Sequence, residues 1–263
     1  MIAERRRKAL VAHTRQLAEC ARTAGGEAAV PTCPSWTVTD LVAHVGQTQR
    51  WVSEIIDRRI VDPTQLPTQM ATVPTDPDEW PAWLSESAVG AAEACSDAAL
   101  EAPVFNAAAD TRTGGEFWLS SLLNEAVIHG ADAADAAGQG HDVDPDVAAH
   151  LINNHLAMLT SPTWAAQRPE SAHALRGAGE TLHWHATDVT TPGENDWFIE
   201  RSPVGARRRP RSGDANVSVS GPARSLLLIL TRRRGLTDET QVSIDGDVNL
   251  VRQWIEHTAH VSG

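Results

Sequence analysis

Along the first 140 positions apolar residues recur at helical rather than strand spacing, and the elements follow from where those runs start and stop. Ala9, Leu10, Ala12, Leu17 and Ala18 stand among charges and predict an amphipathic helix over 3–24, closed by Gly25-Gly26. Val30-Pro-Thr-Cys-Pro-Ser-Trp36 reads as an extended connector, because its two prolines fix the backbone and remove donors. A second helix begins at Thr37, with Asp40 three residues later in a capping-box-like start. Leu41, Val45, Val52, Ile55 and Ile56 trace its core stripe, and His44 lies close beside it. Pro63, Pro67, Pro74 and Pro77 make 60–78 a loop long enough to cover a site. A third helix is predicted over 79–100, with Trp80, Trp83, Leu84, Val89 and Ala92 inward, and a fourth over 116–137, stopped by Gly138 and Gly140. Four such helices predict a bundle, and bundle cores are where facing helices build metal sites.

Asp144 and Pro145 then start a fifth helix, over 145–160, read as a link to the next unit. From 178 the period changes to two. Strands are predicted over 180–187, 197–200, 215–220 and 241–245, with a loop over 203–213, a buried helix over 221–230 and a last helix over 247–260. The chain is therefore expected to be α+β and two-domain. A helical bundle occupies 1–140, a connecting helix and linker 141–177, and a small domain with a mainly antiparallel sheet and helices on one face 178–263.

Composition narrows the function classes. No run of eighteen apolar residues exists among the 263, so no membrane helix is expected, and no signal-peptide core follows the basic start. The expected location is the cytoplasm. A net charge of −12 argues against nucleic acid, and the local basic run Arg207-Arg-Arg-Pro-Arg211 reads as an exposed loop. Cys20, Cys33 and Cys95 are odd in number and widely spaced, which gives no disulfide framework. Cys33 is a catalytic candidate, set against the reading of a buried structural thiol. Arginine outnumbers lysine 21 to 1, a bias that fits coding in GC-rich DNA of a high-GC bacterium.

The candidate chemistry lies on the fourth helix. Glu125 and His129 are four residues apart and share one helix face, with Asp132 a turn further on. Such a pair fits a solvated face, and it also fits two corners of a metal site, with Asp132 as a support for a ligand or as a substrate contact. His183 and His185 share a strand face, which some metal sites require, and the preferred reading is one face of an edge strand. His150, His155 and His173 have no partner in view.

Val30-Pro-Thr-Cys-Pro-Ser-Trp-Thr-Val-Thr-Asp-Leu-Val-Ala-His-Val-Gly46 resembles the N-terminal signature of the mycothiol-dependent maleylpyruvate isomerase family, and Glu125-Ala-Val-Ile-His-Gly-Ala-Asp132 resembles its later E-x-x-x-H-x-x-D. That family belongs to the wider DinB-like superfamily of metal-binding four-helix bundles. The resemblance implies a divalent metal, usually zinc, held by His44, Glu125 and His129 with a fourth position open. It implies mycothiol, the small thiol of actinobacteria, as cosubstrate, and a small-molecule electrophile as its partner. Asp132 would orient thiol or substrate, and Arg233, in Leu228-Ile-Leu-Thr-Arg-Arg-Arg234, would bind an anion. The expected enzyme is a metal-dependent thiol transferase or isomerase, acting as monomer or homodimer without nucleic acid or membrane. The alternative is a non-catalytic DinB-like binding or regulatory module. Gly130-Ala131 stand where the family usually shows Arg-Trp, which suggests extra space or a lost charge near the metal and a substrate unlike maleylpyruvate, a bulkier one among the options.

Overall fold

Helix boundaries fall where the caps stand. In the computed structural model, which describes residues 1–191, 193–210 and 214–258, α1 (Ala3–Ala24) ends at Gly25, whose φ of 82° is one that glycine tolerates without strain. α2 (Val38–Asp57) opens on a complete capping box: the Thr37 hydroxyl accepts from the Asp40 amide, and the Thr37 amide donates to the Asp40 carboxylate. α3 (Trp80–Ala94) stops earlier than its composition predicts. Ser96 caps a separate short helix, α4 (Asp97–Leu100), so the ladder breaks at Cys95. α5 (Gly114–Ala136) is capped by Thr113.

Two units result, the first ending at His141 and the second starting at Asp142. In the first, α1 packs on α3 and α5, and α2 packs on the same two helices. Leu10, Leu17, Leu41, Ile55, Leu84 and Leu122 are fully buried where these faces meet. Each such side chain contributes on the order of 1.5–3 kcal/mol of burial, so this shared core rather than helix propensity holds the bundle. On α3 the inner face is Trp80, Leu84, Ser87, Ala88 and Ala91, while Val89, expected inward, is exposed. The true stripe follows the i, i+4, i+7 spacing of a helix from Trp80, and Val89 lies off it. A β-carbon on Gly46 would stand 2.0 Å from the Trp83 ring, so only glycine lets that indole seat against α2.

The second unit takes in α6 (Pro145–Leu159), capped by Asp144, and the short helices α7 (Pro162–Gln167) and α8 (Pro169–Ala174). Five strands follow: β1 (Thr181–Ala186), β2 (Asp196–Ser202), β3 (Gly205–Arg209), β4 (Val217–Gly221) and, after α9 (Ala223–Leu230), β5 (Ser243–Gly246). Helix α10 (Val248–His257) closes the described chain, and the last residues of the helix expected over 247–260 lie outside the described ones. The sheet order is β3-β2-β1-β4-β5, antiparallel throughout except for the parallel pair β1–β4. Leu182, Trp184, Val217 and Val219 form a buried face on which α9 packs, with α6 packed in turn on α9. The opposite face carries His183, His185, Asp196, Glu200 and Ser218, by alternation along each strand and the pairing register. Among the described residues no helix is long and apolar enough to cross a membrane.

Two expectations about this half need correction. Residues 205–209, expected as loop, form β3. Their arginines are partnered on the strand: Arg207 and Arg209 both pair with Glu200 of β2, and Arg208 donates to Asn153. Arg211 of the same basic run lies outside the described residues. β1, expected at an edge, is the middle strand, because β4 returns to pair parallel to it.

Candidate metal centre

Glu125 sits in the middle of α5 and His129 one turn beyond it, so both side chains leave the same face. That face meets α2, which brings in His44. The three side chains converge on one point. His44 Nε2 lies 2.8 Å and His129 Nε2 3.1 Å from the same oxygen, Glu125 Oε2. One ligand atom from each residue falls within 4.8 Å of the others. The side chains of His44 and Glu125 keep 37% and 28% of their exposure while His129 keeps 10%, so the point of convergence is partly open to solvent.

Asp132 fixes His129. Its Oδ2 lies 2.9 Å from His129 Nδ1, which leaves Nε2 turned to the convergence point. Asp132 is itself fully buried, and its other oxygen accepts from the Thr32 hydroxyl at 2.5 Å. Of the two parts open to Asp132 in the sequence, the geometry matches the orientation of a histidine, since no part of it reaches solvent. Thr32 belongs to the proline-rich connector, which folds back through bonds between Val30, Cys33 and Trp36. The turn places the Trp36 ring over both histidines, 5.1 Å from the His44 ring and stacked at 5.6 Å on that of His129. Thr32 and Trp36 both stand inside the first motif, but their parts come from a tertiary contact that spacing does not show.

The electrostatics follow from this packing. Burial works to raise the Glu125 carboxyl, but its bonds with His129 and His44 outweigh that and hold it well below the usual carboxylate range. Burial likewise works to lower His129, but bonds to Asp132 and Glu125 and the charge of both raise it to about 9. A compact cationic charge is what this arrangement favours. Two imidazole nitrogens and one carboxylate oxygen, aimed at one point with a solvent side, fit a three-ligand divalent site of the kind that keeps a position open.

The other candidates resolve differently. All three cysteines are buried and free of disulfides, and burial pushes the Cys95 thiol up to about 12. Cys33 is buried in the connector, which matches the reading of a structural thiol. Gly130 does not open space beside His129. A β-carbon there would stand 2.6 Å from the His141 ring, so the room is already filled. Arg233 lies in the turn after α9 in the second unit, where its guanidinium donates to the Thr231 carbonyl. His150 accepts from Asn154, His155 is buried and His173 lies on α8. His183 and His185 both approach Asp196, a grouping that spacing on one strand left unseen.

Two family models match the chain, the mycothiol maleylpyruvate isomerase N-terminal domain over residues 7–134 and the MDMPI C-terminal domain over residues 143–253. Among solved structures, a mycothiol-dependent maleylpyruvate isomerase aligns over 93% of this chain and 93% of its own, with a TM-score of 0.56 and 18% identity. A histidine-to-alanine variant of such an isomerase aligns over the same shares with a TM-score of 0.55 and 17% identity. At that identity the likeness speaks for the fold. No curated protein matches the chain.

Proposed function

The chain belongs to the mycothiol maleylpyruvate isomerase family, and from that membership we propose a metal-dependent enzyme that uses mycothiol to attack a small electrophile. The observation that carries this reading is the convergence of His44, Glu125 and His129 on one partly open point, with His129 held by a buried carboxylate. A divalent ion of zinc type held by these three residues would supply the Lewis acidity that lowers a thiol's pKa, so that thiolate, the nucleophilic form, is present near neutral pH.

This chain's own residues do the rest. Asp132 keeps the His129 proton on Nδ1 and so keeps Nε2 available as a ligand atom. Thr32 holds Asp132 in turn, through a donated hydroxyl. The Trp36 ring covers the two histidines and limits water on that side. In an isomerisation the thiolate sulfur adds to a conjugated double bond, rotation occurs about the resulting single bond, and elimination restores the double bond and releases the thiol. In a transfer the sulfur displaces a leaving group and stays. Both reactions need the same thiolate, so the site fits either. The filled space at Gly130 removes steric room as an argument for a bulkier substrate. The part of Arg233 as an anion-binding residue rests on sequence resemblance.

The test is metal content per chain on untagged protein, with and without His44→Ala, followed by titration of mycothiol into the loaded sample. One ion per chain, lost in the variant, and thiol binding that releases a proton are expected. Metal without thiol binding would move the reading to a binding module.

A further inference from the structure

The polar face of the sheet holds a second set of metal-type donors, in the other unit and independent of the site above. His183 and His185 alternate onto this face of β1, and Asp196 stands directly opposite His185 on β2. His183 Nε2 and His185 Nδ1 lie 2.7 and 2.9 Å from one oxygen, Asp196 Oδ1. One ligand atom from each of the three again falls within 4.8 Å of the others.

Three features distinguish this grouping from a casual surface contact. The two strands that supply it lie inside the sheet, and their register fixes all three backbone positions. The other ring nitrogen of His183 lies 3.3 Å from the Ser218 hydroxyl on β4, which can accept its proton and leave Nε2 as a ligand atom. The Phe198 ring stacks on His183 with centroids 4.1 Å apart and planes 8° apart, which favours this orientation of the imidazole. Both imidazole nitrogens face a single carboxylate oxygen, to which each can donate a proton and beside which a cation can take the protons' place. The side chains of His183 and Asp196 are mostly covered while that of His185 keeps 34% of its exposure, which leaves a side from which water can complete the coordination.

We propose that His183 Nε2, His185 Nδ1 and Asp196 Oδ1 form a second divalent-metal site on the sheet of the second unit. Its two nitrogens and one oxygen select zinc-like ions over calcium or magnesium, which prefer all-oxygen shells. Neutral imidazoles enter such a site by a change of tautomer, His183 carrying its proton on Nδ1 toward Ser218 and His185 on Nε2, so no net proton need leave the histidines.

The test uses the full chain. A double variant, His44→Ala with His129→Ala, removes the first site. A quadruple variant adds His183→Ala and His185→Ala. Both are equilibrated with Zn2+ and their metal content is measured per chain. The expected result is one more ion in the double variant than in the quadruple, and equal contents overturn the proposal. If the added alanines disturb the sheet, the double variant answers alone by imidazole NMR. One equivalent of Zn2+ must then shift the His183 and His185 signals, and unshifted signals overturn the site.

Discussion

A β-carbon on Gly130 would stand 2.6 Å from Cε1 of His141, a residue that is itself buried, with the His13 ring 5.6 Å away between centroids. Glycine is normally a liability inside a helix, by about 1 kcal/mol against alanine. Here the ring occupies the place of the missing side chain. Gly130→Ala should therefore destabilise, since overpacking of about 1–3 kcal/mol outweighs the propensity gain. Gly90, in α3, has nothing within 4 Å of its would-be β-carbon, so Gly90→Ala should raise the melting temperature. Thermal unfolding of the two variants side by side checks this. A stabilised Gly130→Ala would mean that His141 can move aside.

Arg6 reaches from α1 to α5 and holds Glu116 with two bonds, of 2.6 and 2.8 Å, while also donating to Ser120. The guanidinium is buried but the carboxylate side chain keeps 35% of its exposure. Removing the carboxylate strands a buried cation, a loss of roughly 3–5 kcal/mol for fully buried pairs and less here because water reaches Glu116. Glu116→Ala should therefore cost more stability than Arg6→Met, which takes the charge away together with its need for a partner. Urea midpoints compare the two, and the reverse order would show that the pair's attraction, rather than the stranded charge, dominates.

The bundle was legible because its signals are local. Caps at Thr37 and Asp144 and the stripe of α2 place helices without knowledge of their partners. The two-domain α+β arrangement follows from the change of period. What escaped depends on partners distant in sequence. β3 reads as a charged loop because its arginines satisfy Glu200 on β2, and nothing in Arg207-Arg-Arg209 alternates in hydrophobicity. β1 looks like an edge until β4 returns beside it, and the antiparallel pairing of β2 on its other side makes Asp196 the shared partner of two histidines. The candidate ligand set His44, Glu125 and His129 is visible as a motif, whereas Trp36 and Thr32 enter the candidate site through the fold of a connector whose prolines say only that it is stiff.

The raised pKa of His129 predicts how metal uptake at the proposed site should depend on pH. In the metal-free chain it titrates at about 9, above the ordinary histidine value of about 6.5. The residue is therefore protonated below that point, and a metal ion must displace its proton to bind Nε2. Apparent affinity should rise about tenfold per pH unit as pH climbs toward 9 and level off above it. Competition titration against a chelator of known protonation, at several pH values, reads this directly. A flat profile between about pH 6.5 and 9 would mean that His129 is neutral before the metal arrives.

Asp132→Asn separates orientation from charge. Asparagine keeps the size of the side chain and one oxygen, but loses the negative charge that faces His129 Nδ1 at 2.9 Å and the symmetric acceptor that also takes the Thr32 proton. The amide can point its oxygen to only one of these two partners at a time. Supports of this kind typically account for about 10–100-fold in metal affinity, so the variant should stay folded, bind the ion that much more weakly and show a lower His129 pKa. Thr32→Val should give a smaller loss in the same direction, because it frees one oxygen while leaving the carboxylate on the histidine. Metal affinity by chelator competition, with the His129 imidazole followed by NMR in the metal-free protein, tests both. If Asp132→Asn bound metal as tightly as the parent, His129 would owe its orientation to Trp36 and the helix alone.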